Sequence, residues 1–168
     1  MSRSLLVALV TLALALVAPP ASAIEPVLGA VGEAGSGVEL GGGNGSLLAQ
    51  RARTQLRAGV ELALDDRKID AVRALVIGEI EPRPAVGFDV EWCHHLSKTL
   101  FLQAGVVGFI APQSMFGVTA GMRIQIPMGT HVKLMFGPQL AGFFFGTDVP
   151  DGTVVIHGLL MAGIDVTF

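Results

Sequence analysis

The chain has little of what usually holds a small secreted domain together. Cys93 is its only cysteine, so no intrachain disulfide can stabilise the fold. It has no Tyr, one Trp and only 15% charged residues, against 51% hydrophobic ones and a mean hydropathy of +0.63. This composition is too apolar for an ordinary water-soluble surface. Something other than water must therefore face much of the folded chain.

The chain also has fewer basic than acidic residues. The chain has 11 Lys and Arg against 14 Asp and Glu, which gives a formal net charge of −3. A protein that binds nucleic acid normally concentrates Lys and Arg on one surface. We therefore expect no nucleic-acid partner.

Residues 1–23 have the features of a cleaved signal peptide. Arg3 precedes an uncharged apolar run, 5–17, which ends at two prolines and the small residues 21–23. The apolar run is too short for a comfortable membrane-spanning helix. We therefore predict a signal peptide over 1–23 and one mature domain over 24–168, a length that suits a single domain.

The segment 152–168 alternates between two kinds of residue. His157 and Asp165 fall on one face of a strand with a period of two, and the opposite face is almost pure hydrocarbon. Such a strand separates a polar compartment from an apolar one. Because the chain also carries a secretion signal, lipid is the simplest apolar compartment.

The same alternation recurs along the chain. The uncharged stretch 99–122 is long enough for a membrane helix, but the turn signal 111–114 divides it into two strands. Short connections favour antiparallel neighbours, and only 41–53 is predicted as a longer loop. The sequence therefore predicts an all-β, eight-stranded antiparallel up-and-down transmembrane barrel. Its strands are expected at 26–40, 54–64, 71–80, 85–93, 99–110, 115–126, 130–145 and 152–168.

The signal peptide, the eight segments and the ending 163–168 resemble the small eight-stranded outer-membrane barrels, the OmpA/OmpX/OmpW-like superfamily. The resemblance implies a Gram-negative-type cell outer membrane, with membrane lipid and the barrel assembly machinery as partners. It also implies that alternate residues of the last strand form the assembly signal: Leu160, Ala162, Ile164, Val166 and Phe168. The lack of Tyr departs from the pattern and predicts thin aromatic girdles at the two membrane interfaces.

The inward register collects charges of both signs. Eight strands enclose an interior just wide enough to be filled by side chains, so these charges should pair across the lumen. The predicted network consists of Arg57, Glu61, Arg73, Glu79, Asp89, Glu91, Arg123, Lys133 and Asp165. Leu134, in the outward register, is expected near the membrane midplane. A structural or interaction role follows best from a filled lumen, and no cofactor is expected.

Three alternatives to this role stay open. A narrow channel or a carrier of small hydrophobic solutes would use the inward apolar residues Met135, Phe143, Phe145 and Met161. A secreted soluble β-sandwich or a lipocalin-like binder would have to bury the apolar faces against a second layer. A lipid-modifying enzyme, such as an acyltransferase or deacylase, is the third.

That enzyme would need a nucleophile, a base and an acid within hydrogen-bond reach. Candidates for these roles by their positions in the sequence are Ser114, His157 and Asp151, but no motif joins them. Adjacent histidines on a strand point to opposite faces, so His94 and His95 are not expected to bind one metal ion. We therefore predict no catalytic and no metal site.

Overall fold

The computed structural model describes residues 27–42, 48–65 and 68–168, so the predicted signal peptide lies outside the described residues. Within these ranges no helix is long and apolar enough to cross a membrane. The chain forms eight strands, which are β1 (Leu28–Gly42), β2 (Leu48–Ala63), β3 (Asp70–Glu81), β4 (Ala85–His95), β5 (Leu100–Ala111), β6 (Met115–Pro127), β7 (Val132–Phe145) and β8 (Val154–Thr167).

The strands form a closed antiparallel barrel in chain order. Each strand pairs with its neighbour in sequence, and β8 closes the ring by pairing with β1 from Gly29 opposite Thr167 to Gly42 opposite Val154. Closure leaves no sheet edge with unpaired backbone groups, which a membrane would penalise heavily. The predicted fold class is thereby confirmed.

The predicted loop over 41–53 is wrong. β1 continues to Gly42, and β2 already begins at Leu48. The glycine-rich sequence hides the alternation there, but β8 pairs with β1 along its whole length and holds it extended. A register shift between Glu39 and Leu40 takes up the irregularity between β1 and β2. The longer strands bring Arg53 into the lumen.

The outer face of the barrel is hydrocarbon on all eight strands. Val76 is 62% exposed and Leu160 is 67% exposed, although a soluble domain would bury such residues. The inner face instead buries charged and amide side chains. This distribution is the reverse of that in a water-soluble protein.

The two ends of the barrel differ. One end, here called the terminus end, carries Leu28, Phe168, the described residues 64–65 and 68–69 between β2 and β3, and the connections 96–99 and 128–131. The other, here called the cap end, carries the connections 82–84, 112–114 and 146–153. Val149, in the last of these, folds inward and joins a buried apolar cluster that contains Ile77, Val107, Phe109, Met115, Ala141, Phe143, Val149 and Val155.

Side-chain contacts hold the cap-end connections together. Arg83 pairs with Asp148, and the Ser114 amide donates a hydrogen bond to Thr147 Oγ1 at 3.0 Å. These contacts link three successive hairpins above the apolar cluster. Among the described residues, packed hydrocarbon therefore fills the lumen toward the cap end.

Candidate functional site in the barrel lumen

Inward glycines make room for the large polar groups of the lumen. A Cβ at Gly59 would lie 1.9 Å from the Ala74 carbonyl oxygen, and one at Gly105 would lie 2.0 Å from that of Val90. These contacts are far shorter than van der Waals distance, so only glycine fits where neighbouring strands approach so closely. The space that other side chains would occupy is left to arginine and glutamine.

Arg123 lies at the centre of the lumen and is fully buried. Its Nε donates to Glu33 Oε1 at 3.2 Å, and its Nη1 donates to the carbonyl oxygens of Pro138 at 3.1 Å and Met122 at 3.4 Å. Pro138 has no N–H to give to the ladder between β6 and β7. The guanidinium thus supplies donors at the place where proline removes one.

A second group is built around Gln139. Arg57 Nη1 donates to Asp89 Oδ2 at 2.8 Å and to Gln139 Oε1 at 2.9 Å, and Arg123 Nη2 donates to the same amide oxygen at 2.8 Å. The Gln139 amide nitrogen donates in turn to Glu91 Oε1 at 3.0 Å. One neutral side chain thereby links two guanidinium groups to a carboxylate.

A third group lies between this centre and the cap end. The Arg53 guanidinium pairs with both Glu39 and Glu79, and Gln55 Nε2 donates to Glu79 Oε2 at 3.1 Å. His157 Nε2 lies 3.5 Å from Glu39 Oε2. Each of these side chains is buried, so the charges are compensated by one another rather than by water.

A fourth group lies toward the terminus end. Arg73 Nε donates to Glu61 Oε2 at 2.5 Å, and its guanidinium carbon lies 4.6 Å from the centre of the Phe101 ring. Lys133 Nζ donates to Asp165 Oδ2 at 3.4 Å. The Lys133 side chain keeps 31% of its surface exposed, because it stands at the open mouth of the barrel.

All nine charged residues expected in the lumen point inward in the structure. Eight of them are buried, and Lys133 is partly exposed. Glu33, Glu39 and Arg53 also belong to the network, although they were not among the expected residues. The two glutamates lie opposite apolar residues in the alternation of β1, a signal that could have placed them, whereas Arg53 was hidden in the predicted loop. The described lumen then holds five cationic groups against seven carboxylates.

The residues expected to form the assembly signal lie on β8 and directly after it. Leu160, Ala162 and Ile164 are exposed on the outer face, and Phe168 is 75% exposed at the terminus end. The Phe168 amide donates to the Leu28 carbonyl oxygen at 3.0 Å. Val166 shares their register and is partly exposed.

The apolar residues suspected for a channel or carrier do not all face inward. Met135, Phe143 and Met161 are buried, but Phe145 is 63% exposed and stacks on Phe116 at 5.9 Å. The register between β6 and β7 shifts between Phe116 and Gly117. This bulge turns Phe145 outward, so its predicted inward position is wrong.

Residues suspected of catalysis or metal binding are held apart. Ser114 hydrogen-bonds to Thr147, whereas His157 is buried beside Phe143 with ring centres 4.6 Å apart. Among the described residues no hydrogen bond joins Ser114 to His157, and no group of three or more His, Cys, Asp or Glu could hold a metal ion.

The two neighbouring histidines have different partners. His94 Nδ1 lies 2.8 Å from Asp70 Oδ1, while His95 Nδ1 lies 3.2 Å from the Ile69 carbonyl oxygen. Each ring is thus held by a residue at the start of β3 or just before it. The pair is part of the rim of the terminus end.

A closed ring of eight antiparallel strands, with hydrocarbon outside and paired charges inside, is the architecture of a transmembrane β-barrel. The sequence matches no protein-family model and no curated protein. The structure is similar to that of Neisserial surface protein A, with a TM-score of 0.53, 12% identity, and coverage of 84% of this chain and 97% of that one. That likeness shows a shared fold.

Two further solved structures match with lower scores. Ail, the attachment invasion locus protein of Yersinia pestis, solved with the heparin analogue sucrose octasulfate, has a TM-score of 0.48 at 9% identity, covering 84% of this chain and 99% of its own. The outer membrane protein OprG from Pseudomonas aeruginosa has a TM-score of 0.38 at 7% identity, covering 85% and 95%.

Proposed function

We propose that this protein is an integral outer-membrane β-barrel with a structural or interaction role and a filled, charge-paired lumen. The observation that carries the proposal is the reversal of the two faces of the sheet. The outer face presents Leu, Ile, Val and Phe from all eight strands, and the inner face buries the charges. Hydrocarbon on this scale needs lipid around it.

The contacts within the lumen support the proposal of a filled barrel rather than a channel. Arg57, Arg73 and Arg123 each contact carboxylates across the interior, and the apolar cluster around Phe143 fills the lumen toward the cap end. A solute would have to break buried ion pairs and then displace packed hydrocarbon. Both steps are costly, because a buried charge that loses its partner is uncompensated.

The same distribution of side chains argues against a soluble binder. A lipocalin-like barrel would need an apolar interior for its ligand and a polar exterior for water. Here Val76 and Leu160 are among the many apolar side chains exposed outside, whereas Arg73 and Arg123 are fully buried inside. The all-antiparallel closed ring also differs from the two packed sheets of a sandwich.

Cell fractionation tests the location. The protein should sediment with the outer membrane and resist extraction by carbonate. It should also migrate faster in electrophoresis when the sample has not been boiled, because a closed barrel resists unfolding by detergent. A soluble periplasmic protein expressed in the same cells serves as the fractionation control. Recovery with that control, and with no effect of boiling, would overturn the proposal.

The proposal includes the assembly machinery and membrane lipid as partners. Phe168 is exposed beyond the last strand, where a partner could contact it, and it contributes little buried surface. Deleting Phe168 should lower the amount of assembled barrel in cells several-fold. The free energy of unfolding of protein refolded in vitro should change by only about 0.5 kcal/mol, as for other exposed sites. Thr167→Ala is the matched control, and equal assembly of both variants would contradict the assignment.

A further inference from the structure

Two carboxyl groups lie side by side near the centre of the lumen. Asp89 and Glu91 are two positions apart on β4, so both point inward, and they are 0% and 1% exposed. One oxygen of each group shares the same two partners. Gln139 Nε2 lies 3.4 Å from Asp89 Oδ2 and 3.0 Å from Glu91 Oε1. Arg57 Nη1 lies 2.8 Å and 3.8 Å from the same two oxygens. The two carboxyl groups therefore occupy one site.

One cation serves this site. The titratable and charged side chains that face the pair from the strands around it are Glu33 on β1, Arg57 and Glu61 on β2, Arg73 on β3, Cys93 on β4 and Arg123 on β6. Arg73 is engaged by Glu61 at 2.5 Å, and Arg123 is engaged by Glu33 at 3.2 Å. If both carboxyl groups were ionised, two adjacent negative charges would therefore face the single charge of Arg57. Like charges this close and this deeply buried repel each other strongly.

Each carboxyl group also has an oxygen that lacks a donor. Asp89 Oδ1 and Glu91 Oε2 are buried and have no hydrogen-bond partner among the described residues. Gln103 Nε2, at 3.0 Å, donates to Glu91 Oε1, which already has other donors. An ionised carboxylate without donors at both oxygens is costly to bury. The two groups lie within hydrogen-bond reach of each other, so a proton on one of them would give it an O–H donor for the other.

The charge balance of the whole lumen leads to the same requirement. In the part of the chain that the structure describes, its seven carboxylates exceed its five cationic groups by two. A protonated His157 would compensate only one of them, and it lies beside Glu39 rather than beside this pair. We propose that Asp89 and Glu91 together bind one proton at neutral pH. The proton belongs to the pair rather than to either residue, and one negative charge remains opposite Arg57.

Infrared spectroscopy of the mature chain refolded in lipid vesicles tests this proton site, because a protonated carboxylic acid and a carboxylate absorb at different frequencies. The wild-type protein should show the carboxylic acid band at neutral pH. Asp89→Asn and Glu91→Gln should each lower the band by the equivalent of one group, because the remaining carboxyl group then ionises opposite Arg57 and accepts from the new amide. Both substitutions conserve side-chain size, and migration before boiling verifies that the variants fold.

Glu79→Gln is the matched control, since Glu79 is equally buried but has donors at both oxygens, from Arg53 and Gln55. It should leave the band unchanged. The proton site would be overturned by a wild type without the band, by an unchanged band in either variant, or by an equal loss in the control. The inference rests on the proposed charge-paired lumen, but a chain that folds as a membrane barrel without this band would overturn the proton site alone.

The pH dependence of unfolding gives a second measure. The unfolded chain releases this proton above about pH 4, where free carboxyl groups ionise, whereas the folded barrel keeps it. The folded state then binds one proton more than the unfolded state, so its stability falls as the pH rises. In urea unfolding near neutral pH, the unfolding equilibrium constant of the wild type should rise about tenfold more per pH unit than that of Asp89→Asn. Equal slopes would overturn the proposal.

Discussion

The two faces of this sheet are specified in different ways. On the outer face, neighbours such as Leu134, Phe136 and Leu140 are interchangeable hydrocarbon, because lipid accommodates any apolar shape. On the inner face, Arg123 requires Glu33, Gln139 and the carbonyl of Pro138 in their places. The outer face therefore demands a residue class, and the inner face demands particular partners. Substitutions should separate these two requirements.

The largest effect is expected at Arg123. Arg123→Met should lower the free energy of unfolding by about 3–5 kcal/mol, because it leaves Glu33 buried with only the more distant Arg73 guanidinium, at 3.8 Å, to compensate its charge. Adding Glu33→Gln should restore part of the loss. Urea unfolding in lipid vesicles measures both, with the fluorescence of Trp92, which is 49% exposed on the outer face, as the probe. A small loss in the single variant would show that the pair with Arg123 is not what compensates Glu33.

A charge introduced on the outer face should lower the free energy of unfolding nearly as much, by an amount that depends on the depth of the residue in the membrane. Leu140→Arg should lower the free energy of unfolding by about 2–4 kcal/mol, and Leu134→Arg by about 1 kcal/mol or less. Leu134 was expected near the midplane, but it is the third residue of β7 and lies close to the terminus end, whereas Leu140 lies near the middle. The same vesicle unfolding assay applies. Equal costs at the two positions would contradict this placement of the bilayer.

The two faces also differ in how much space they leave for a methyl group in place of a glycine hydrogen. Gly59→Ala should lower the free energy of unfolding by about 1–3 kcal/mol, because the new methyl group collides with the Ala74 carbonyl. Gly32→Ala is the matched control, since no atom lies within 4 Å of a Cβ there. The control should be neutral in chemical unfolding. If both variants unfold alike, the close approach at Gly59 does not limit the lumen.

The smallest effect is expected at the rim, where neither face is involved. Arg83→Ala removes the pair with Asp148, whose side chains are 37% and 22% exposed. Such a partly exposed pair contributes at most about 1 kcal/mol. Thermal unfolding should shift by no more than a few degrees. A loss as large as that of Arg123→Met would mean that the cap, rather than the lumen, limits stability.

Alternation, together with the short connections and the predicted secretion signal, was enough to predict the fold class. Each strand places one residue in two against lipid, so a period of two appears wherever a segment crosses the membrane. In β6, for example, Val118, Met122 and Ile124 alternate with Thr119, Arg123 and Gln125. The inward direction of the charged residues follows from the same rule.

Partners across the lumen could not be predicted in this way. The contact between Arg123 and Glu33 joins residues 90 positions apart, and it depends on how far neighbouring strands are staggered around the ring. Alternation says which face a residue occupies but not its height. Gln139, which joins three charged groups, carries no charge and gave no signal of its importance. Phe145 was misplaced because a bulge changes the alternation without changing the sequence pattern.

The connections at the cap end are short, and this limits what can recognise the protein from that side. In the part of the chain that the structure describes, the connections 82–84, 112–114 and 146–153 amount to fourteen positions. A stable protein–protein interface of standard size uses about 20–30 residues from each partner. A tightly bound macromolecule approaching along the barrel axis would use every described position of the cap and still need more surface. Lasting partners of this barrel should therefore reach it sideways, within the bilayer, or from the terminus end.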